Sequence, residues 1–338
     1  MNCDIKYSKR RYPKIIILSI ILLAVASQPQ GFGQACCSGG VPISNNIGVR
    51  PIDNSQFIIR GLYDANFLNS FYTGSDKLED NNIKRLSQTY FLQGVYGITD
   101  KLSVNAMLSY VIHKRTVQNS FSSDPVSSEN GFGDAILLLQ YKILSLRKAS
   151  IFLTLGPKIP VGKSDLRDAN DILLPADLQP GTGSWDVITG IGYIKSEFIR
   201  PSMNLTLTAV GKINSYSDRF NGTQQYKYGN DYQFLFGITD SFIAKKLILN
   251  PGILMRLWYT SFDKVDGNNF PNTGGSWIYF VPSLNIAFNP KFSAFISFEI
   301  PIYQHLNGTQ LSTSIRISGG IQLSLFSNSR KINLNTGN

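Results

Sequence analysis

The chain has 338 residues, 43% of them hydrophobic and 16% charged, with 29 glycines, 16 tyrosines and 21 phenylalanines. Few blocks of that composition favour helix, and past the N-terminus no apolar run approaches the ~18 residues a helix needs to cross a bilayer, which excludes a helical membrane protein for the mature chain. The formal charge of +10 falls to +6 once the basic leader is set aside, and the remaining cations are dispersed, which argues against a nucleic-acid partner.

Residues 1–35 read as an export signal: a basic stretch up to Lys14, an apolar stretch from Ile15 to Ala26, and a small-residue cleavage site at Gly33-Gln34-Ala35, with a cut after Ala26 as the alternative. Cleavage after Ala35 leaves Cys36 first, but no leucine stands at the third position upstream, as a lipidation site would want. Cys36 and Cys37 are the only cysteines beyond the signal, so no disulfide framework staples this fold. The vicinal pair suits a soft metal, a cross-link, or no chemistry at all; with no histidine or second pair nearby, no cofactor is assigned. Residues 36–54, rich in Gly, Pro and Asn, read as an irregular periplasmic segment or a small insert into a lumen.

From residue 55 to residue 326 the sequence alternates with period two. The clearest stretch is Tyr90 to His113: Tyr90, Leu92, Tyr96 and Ile98 share one face of the first arm, and Leu102, Val104, Ala106, Leu108, Tyr110 and Ile112 one face of the second. Their opposite faces carry Thr89, Phe91, Gln93, Ser103, Asn105, Met107, Ser109 and His113. The arms hold about ten residues and place aromatics near their ends, the pattern of a transmembrane strand; a soluble sandwich would put them mid-strand.

Twelve such arms follow in order: Phe57–Phe67, Thr89–Ile98, Leu102–His113, Asp134–Ile143, Ser150–Ile159, Ser184–Tyr193, Met203–Ile213, Gly229–Ile238, Leu247–Tyr259, Ile278–Ala287, Phe292–Tyr303 and Thr313–Phe326. Short turns alternate with long polar loops, so the expectation is an all-β, antiparallel up-and-down barrel of about 12 strands with short periplasmic turns, long extracellular loops and both termini in the periplasm. The turn sequence GITD occurs at Gly97–Asp100 and again at Gly237–Asp240, which ordinary Thr and Asp turn chemistry explains without a duplication. Phe67, Tyr90, Tyr110, Trp185 and Tyr259 form an expected aromatic belt at the outer interface of the bilayer, and Phe57, Tyr96, Tyr141, Tyr193, Phe236, Phe288 and Phe292 one at the periplasmic interface. The last arm ends on Phe326, as the assembly signal of outer-membrane barrels does, yet residues 327–338 continue as a tail.

The centre of the chain carries a recurring punctuation: Gly133-Asp134 opens one strand, Pro160-x-Gly162 ends the next, and Gly183-Ser184 opens a third. This pattern resembles the MetA-pathway phenol-degradation family of outer-membrane transporters, and the start Cys36 to Gly40 resembles N-termini of uncharacterised Bacteroidetes barrels. The resemblance implies a barrel in the outer membrane of a Gram-negative bacterium that passes small solutes, hydrophobic or aromatic ones included.

The polar face of the arms gives the expected lumen: Arg60, Asp64, Asp134, Lys142, Lys158, Asp186, Lys212, Asp231, Arg256, Glu299 and Arg316. Six are basic and five acidic, so they read either as mutually paired struts or as a solute filter, with Asp134, Lys158, Asp186, Arg256, Glu299 and Arg316 forming a charged collar toward the loop ends. The partners expected are outer-membrane lipid, the barrel assembly machinery and a small-molecule solute, with no nucleic acid and no oligomeric state assigned. Two other readings stand beside the channel. One is a closed structural or adhesive barrel; the other is a lipase-like enzyme using Ser109 or Ser120 with His113, although no catalytic or metal-ligand spacing accompanies either histidine, and an enzyme is not expected.

Overall fold

The computed structural model describes residues 51–79, 83–117, 127–168, 170–218 and 224–325. The expected signal, Cys36 and Cys37, Ser120, Phe326 and the tail therefore lie outside the described residues, as does most of the segment 36–54.

Eleven strand elements close into one antiparallel ring: β1 (Phe57–Gly74), β2 (Ile83–Gly97), β3 (Leu102–Val117), β4 (Ala135–Ser145), β5 (Ala149–Ile159), β6 (Asp186–Ser196), β7 (Asn204–Asn214), β8 (Asp231–Thr239), β9 (Leu247–Thr260), β10 (Gly275–Asn289) and β11 (Phe292–Leu325). Each pairs with its sequence neighbours, and β11 closes the ring on β1 from Phe57↔Leu325 upward. Closure leaves no sheet edge, the condition for a strand protein to sit in lipid.

β11 has 34 residues, which fully extended would measure about 110 Å, several times the hydrocarbon thickness. It folds back on itself. Residues 292–306 pair with β10 and residues 306–325 with β1, Ser324 N donates to Lys291 O at 2.8 Å, and Gly308 turns the chain at φ 78°. The polypeptide thus crosses the wall twelve times, as the alternation predicts.

Several strands run past their expected ends. β1 continues to Gly74, β2 begins at Ile83 and β3 reaches Val117, all in stretches whose polarity reads as loop. Polarity marks where the lipid ends. The ladder continues into water because each backbone N–H and C=O still needs a partner.

Burial follows the expected parity. On β2 and β3, Tyr90, Leu92, Tyr96 and Leu108 are exposed on the outer face, while Gln93, Asn105, Met107 and His113 are buried inside. Outer-face aromatics such as Tyr141, Trp185, Tyr232, Tyr259 and Phe288 are likewise exposed. The two GITD turns close differently. Thr99 Oγ1 accepts from Leu102 N at 2.9 Å in the first, whereas Asp240 Oδ1 accepts from Ser241 N at 2.9 Å in the second. At the same end of the barrel, the backbone of Asp53 passes so close to Gly97 that a Cβ there would sit 2.0 Å from Asp53 O, and Ile52 packs on Ile58 and Val95. Residues 51–54 therefore lie against the short-turn rim.

Leu108→Arg, mid-strand on the outer face, should cost about 2–4 kcal/mol in refolding from urea into lipid vesicles, and Leu146→Arg in the β4–β5 turn about 0–1 kcal/mol. Equal costs would refute the depth assignment. The native protein should also run with altered mobility when unboiled.

Candidate functional site: the barrel interior and its loop-side mouth

The interior is filled in layers. Near the short turns Arg60 Nε donates to Gln322 Oε1 at 2.7 Å and its NH1 to Gln93 Oε1 at 3.3 Å, while Gln93 Nε2 donates to Asn105 Oδ1 at 3.0 Å. Lys142 lies 3.7 Å from Asp53. Above this polar layer sits an apolar one made of Leu62, Phe91, Met107, Ile136, Leu138, Ile188 and Val210, with Phe295 against it. Met107 is 2% exposed and Leu138 and Ile188 are 0%, so water does not separate them. These residues sit at inward positions, where alternation alone predicts polar ones.

The eleven inward charges named from the sequence are brought together in small groups. Lys158 Nζ lies 2.7 Å from Asp134 Oδ2, to which it donates, and 2.7 Å from Asp186 Oδ2; the second contact is off the hydrogen-bond angle and acts as an ion pair alone. Arg256 NH2 donates to Glu299 Oε2 at 2.5 Å, with its guanidinium 4.3 Å from the Tyr279 ring centroid and 5.1 Å from that of Trp258. Arg316 Nε donates to both oxygens of Asp64 at 2.9 and 2.8 Å, and Lys212 Nζ lies 2.7 Å from Asp231. The six collar residues thus occupy three separate ion-paired groups, with Asp64 completing the third.

The three punctuation motifs of the central stretch converge on the first group. Asp134 Oδ1 accepts from Gly162 N at 3.2 Å, and its Oδ2 accepts from Thr182 N at 2.9 Å and Thr182 Oγ1 at 2.8 Å; Ser184 Oγ donates to Asp186 Oδ1 at 2.9 Å. Gly162 and Gly181 meet so closely that a Cβ on Gly181 would stand 2.7 Å from Gly162 Cα. Both ends of the long β5–β6 loop are therefore tied at one point.

From that root the loop folds over the mouth. Its single turn Ala176–Leu178 is buried, Tyr228 OH donates to Ala176 O at 2.9 Å, and Asp177 Oδ2 accepts from Arg85 NH1, inward on β2, at 2.5 Å. Gln179 braces the loop internally, accepting from Leu166 N at 2.9 Å and donating to Leu166 O and Leu174 O at 3.0 Å. Sequence reasoning missed Arg85, Asp177 and Thr182, because a contact between residues 92 apart leaves no periodic trace. Arg85 lies inside a stretch whose polarity reads as loop, which hides its inward parity.

A small cap sheet of residues 216–217, 226–227, 264–265 and 268–269 stands beside this loop. Tyr226 OH donates to Asp263 Oδ2, and Gly229 N donates to Asp263 Oδ1 at 2.6 Å. Burial pushes the Asp263 carboxyl up to about 6 despite those two donors, and raises both Tyr226 and Tyr228 well above the usual phenol range.

His113 Nδ1 lies 2.9 Å from Ser87 Oγ, and Ser87 rather than Ser109 is its neighbour. The pair is buried, with His113 1% exposed. On the outer wall, small residues Thr189, Ala209, Gly211 and Ser276 lie between Ile191, Tyr232, Tyr259 and Tyr303, leaving an apolar groove of about 900 Å³.

Two measurements check this geometry. Lys158→Met leaves Asp134 and Asp186 buried without their cation and should cost about 3–5 kcal/mol in refolding. For Asp263, a folded-state pKa above the ordinary 3.8 means that the folded cap takes up a proton the unfolded one does not between pH about 6 and 3.8. Cap stability therefore falls as pH rises through that window, by about 3 kcal/mol at most. Loop proteolysis should be faster at pH 7.5 than at pH 4.5, and Asp263→Asn should flatten the difference.

The fold has known counterparts. An outer-membrane channel from Pseudomonas putida F1 superposes with a TM-score of 0.64 at 16% identity, covering 81% of this chain and 97% of that one. Looser likenesses are the KdgM porin, with a TM-score of 0.41, 10% identity, 80% of this chain and 99% of that one, and the CymD monoaromatic hydrocarbon channel, with 0.40, 10%, 82% and 90%. No curated protein matches the chain. A family model matches residues 80–313, from the start of β2 into the second pass of β11, and on that extent the chain belongs to the family described as "Putative MetA-pathway of phenol degradation".

Proposed function

We propose that this barrel is a passive outer-membrane channel for small solutes, with apolar and aromatic ones favoured, and that it is not an enzyme. The observation that carries the reading is the apolar layer of Leu62, Phe91, Met107, Ile136, Leu138, Ile188 and Val210 across an interior otherwise lined with ion pairs. An apolar constriction opposes hydrated ions, because water leaves it at little cost, while a small apolar solute replaces that water without penalty. The family's description, with its reference to phenol degradation, agrees with that preference.

In this reading the collar residues Asp134, Lys158, Asp186, Arg256, Glu299 and Arg316 shape the passage through the pairs they make, Asp64, Lys142, Lys212 and Asp231 do the same along the wall, and Arg60 acts through its hydrogen bonds to Gln322 and Gln93. The β5–β6 loop, held by Arg85 and Asp177, covers the entry and must yield for a solute to pass. The termini face the periplasm, following the short turns, residues 1–35 serve as the export signal, and the assembly machinery receives the barrel through its last strand. The filled interior also favours a second reading, a closed structural barrel.

Flux into vesicles separates the two. The wild type should admit a small aromatic solute faster than empty vesicles do and faster than a sugar of similar size. The double variant Arg85→Ala, Asp177→Ala, which leaves neither partner orphaned, should raise flux several-fold, and Met107→Ser should raise ionic conductance in a planar bilayer. No flux in the wild type or either variant would leave the structural barrel.

A further inference from the structure

The cap sheet carries an unbalanced row of charge. Its register sets Tyr216 opposite Lys227, Lys227 opposite Lys264, and Lys264 opposite Asn269. The alternate row, Tyr226 and Val265, packs inward on Ala176, Tyr228 and Phe270, so strand alternation sends both lysines to the other face. Like charges directly opposite in a ladder destabilise it unless an anion lies between them. Nearby carboxylates are engaged elsewhere. Asp263 holds Tyr226 and Gly229, Asp231 holds Lys212 and Trp258, and Asp266 and Asp218 accept from Gln225. Among the described residues none lies within ion-pair distance of either lysine. Lys227 Nζ instead sits 5.5 Å from the centroid of the Tyr216 ring.

Both lysines line a cavity of about 290 Å³ together with Asn230, Ser261, Asn269 and the aromatic residues Tyr228, Tyr259 and Phe262. Tyr259 belongs to the exposed outer row of β9 with Ile253 and Leu257, and Phe262 is also exposed, so the cavity opens where the lipid-facing wall meets the cap. Tyr259 is shared with the 900 Å³ apolar groove running down the outer wall. A cationic, amide-lined notch above an aromatic belt, continuous with an apolar groove below it, has the polarity profile of one lipid molecule: headgroup, interface, acyl chain.

We propose that Lys227 and Lys264 bind the phosphomonoester headgroup of a membrane lipid whose acyl chain lies in the groove beneath Tyr259. Two ammonium groups match a dianionic phosphate in charge, and Asn230, Ser261 and Asn269 supply the remaining polar contacts. The site stands on the barrel's membrane setting and is independent of whether the barrel conducts.

Native mass spectrometry of the detergent-solubilised full chain tests it, with phosphatidic acid and phosphatidylcholine of identical acyl chains as probes. At about 1 kcal/mol per lysine, phosphatidic acid should be retained roughly 10-fold or more over phosphatidylcholine. Lys227→Gln with Lys264→Gln should abolish that preference, Lys227→Arg with Lys264→Arg should keep it, and Gly211→Leu, which fills the groove, should weaken both lipids while leaving the preference intact. Unboiled gel mobility establishes that each variant is folded. Equal retention of the two lipids by the wild type, or an unchanged preference in the glutamine variant, would overturn the proposal. Displacement of phosphatidic acid by millimolar inorganic phosphate with no effect of Gly211→Leu would overturn the lipid in favour of a free-anion site.

Discussion

One ammonium group between two carboxylates holds the mouth of this barrel together. Lys158 pairs with Asp134 and Asp186 while side-chain relative exposures of 5%, 4% and 0% keep water out, so each charge depends on the others for its solvation. Removing Lys158 leaves two buried carboxylates with no cation beside them and no water to stabilise them. Asp134 extends the constraint to backbone, accepting from Gly162 N and Thr182 N, and so fixes both ends of the β5–β6 loop relative to β4, β5 and β6. Everything the loop then does over the mouth starts from that fixed root.

From there the rest of the interior follows a consistent division of labour. Ion pairs such as Arg316 with Asp64 and Arg256 with Glu299 link strands distant in sequence across the wall, and in each case the inward charge is met by its opposite. Paired charges of this kind contribute rigidity and register rather than a free electrostatic field. Beneath them lies the apolar layer to which the proposed channel owes its selection among solutes, with Phe91, Met107 and Leu138 packed in one cluster. An open, water-filled pore would need these positions to be small or polar.

The outer surface carries a second asymmetry. Most of the wall presents large apolar residues to lipid, but Ala209, Gly211 and Thr189 are small and leave a recess between tyrosine ridges. The cap sheet stands on the same side, with its two lysines at the upper end of that recess. Most inward charges lie beside an opposite charge, whereas among the described residues no carboxylate lies within ion-pair distance of these two lysines. Such a local excess of positive charge at the surface favours an anion from the surroundings.

The strand number, the ring topology and the facing of β2 and β3 were legible in the sequence, because a side-chain period of two and a bilayer of fixed thickness leave one arrangement for alternating arms of about ten residues. The same alternation puts Asp134, Lys158 and Asp186 on the polar face, and all three are buried. Their partners were not legible in it: alternation assigns a residue to a face but says nothing of which strand's side chain it meets, and Lys158 stands directly opposite Asp186 in the β5–β6 register while it reaches Asp134 just ahead of β4. Met107, Leu138 and Ile188 broke the polar rule of the inner face, and only closure of the ring made them one layer instead of three exceptions. Arg85 and Asp177 lie 92 residues apart in stretches without periodicity, so their contact was decided wholly by tertiary structure, where a buried guanidinium requires a carboxylate and the folded loop supplies it.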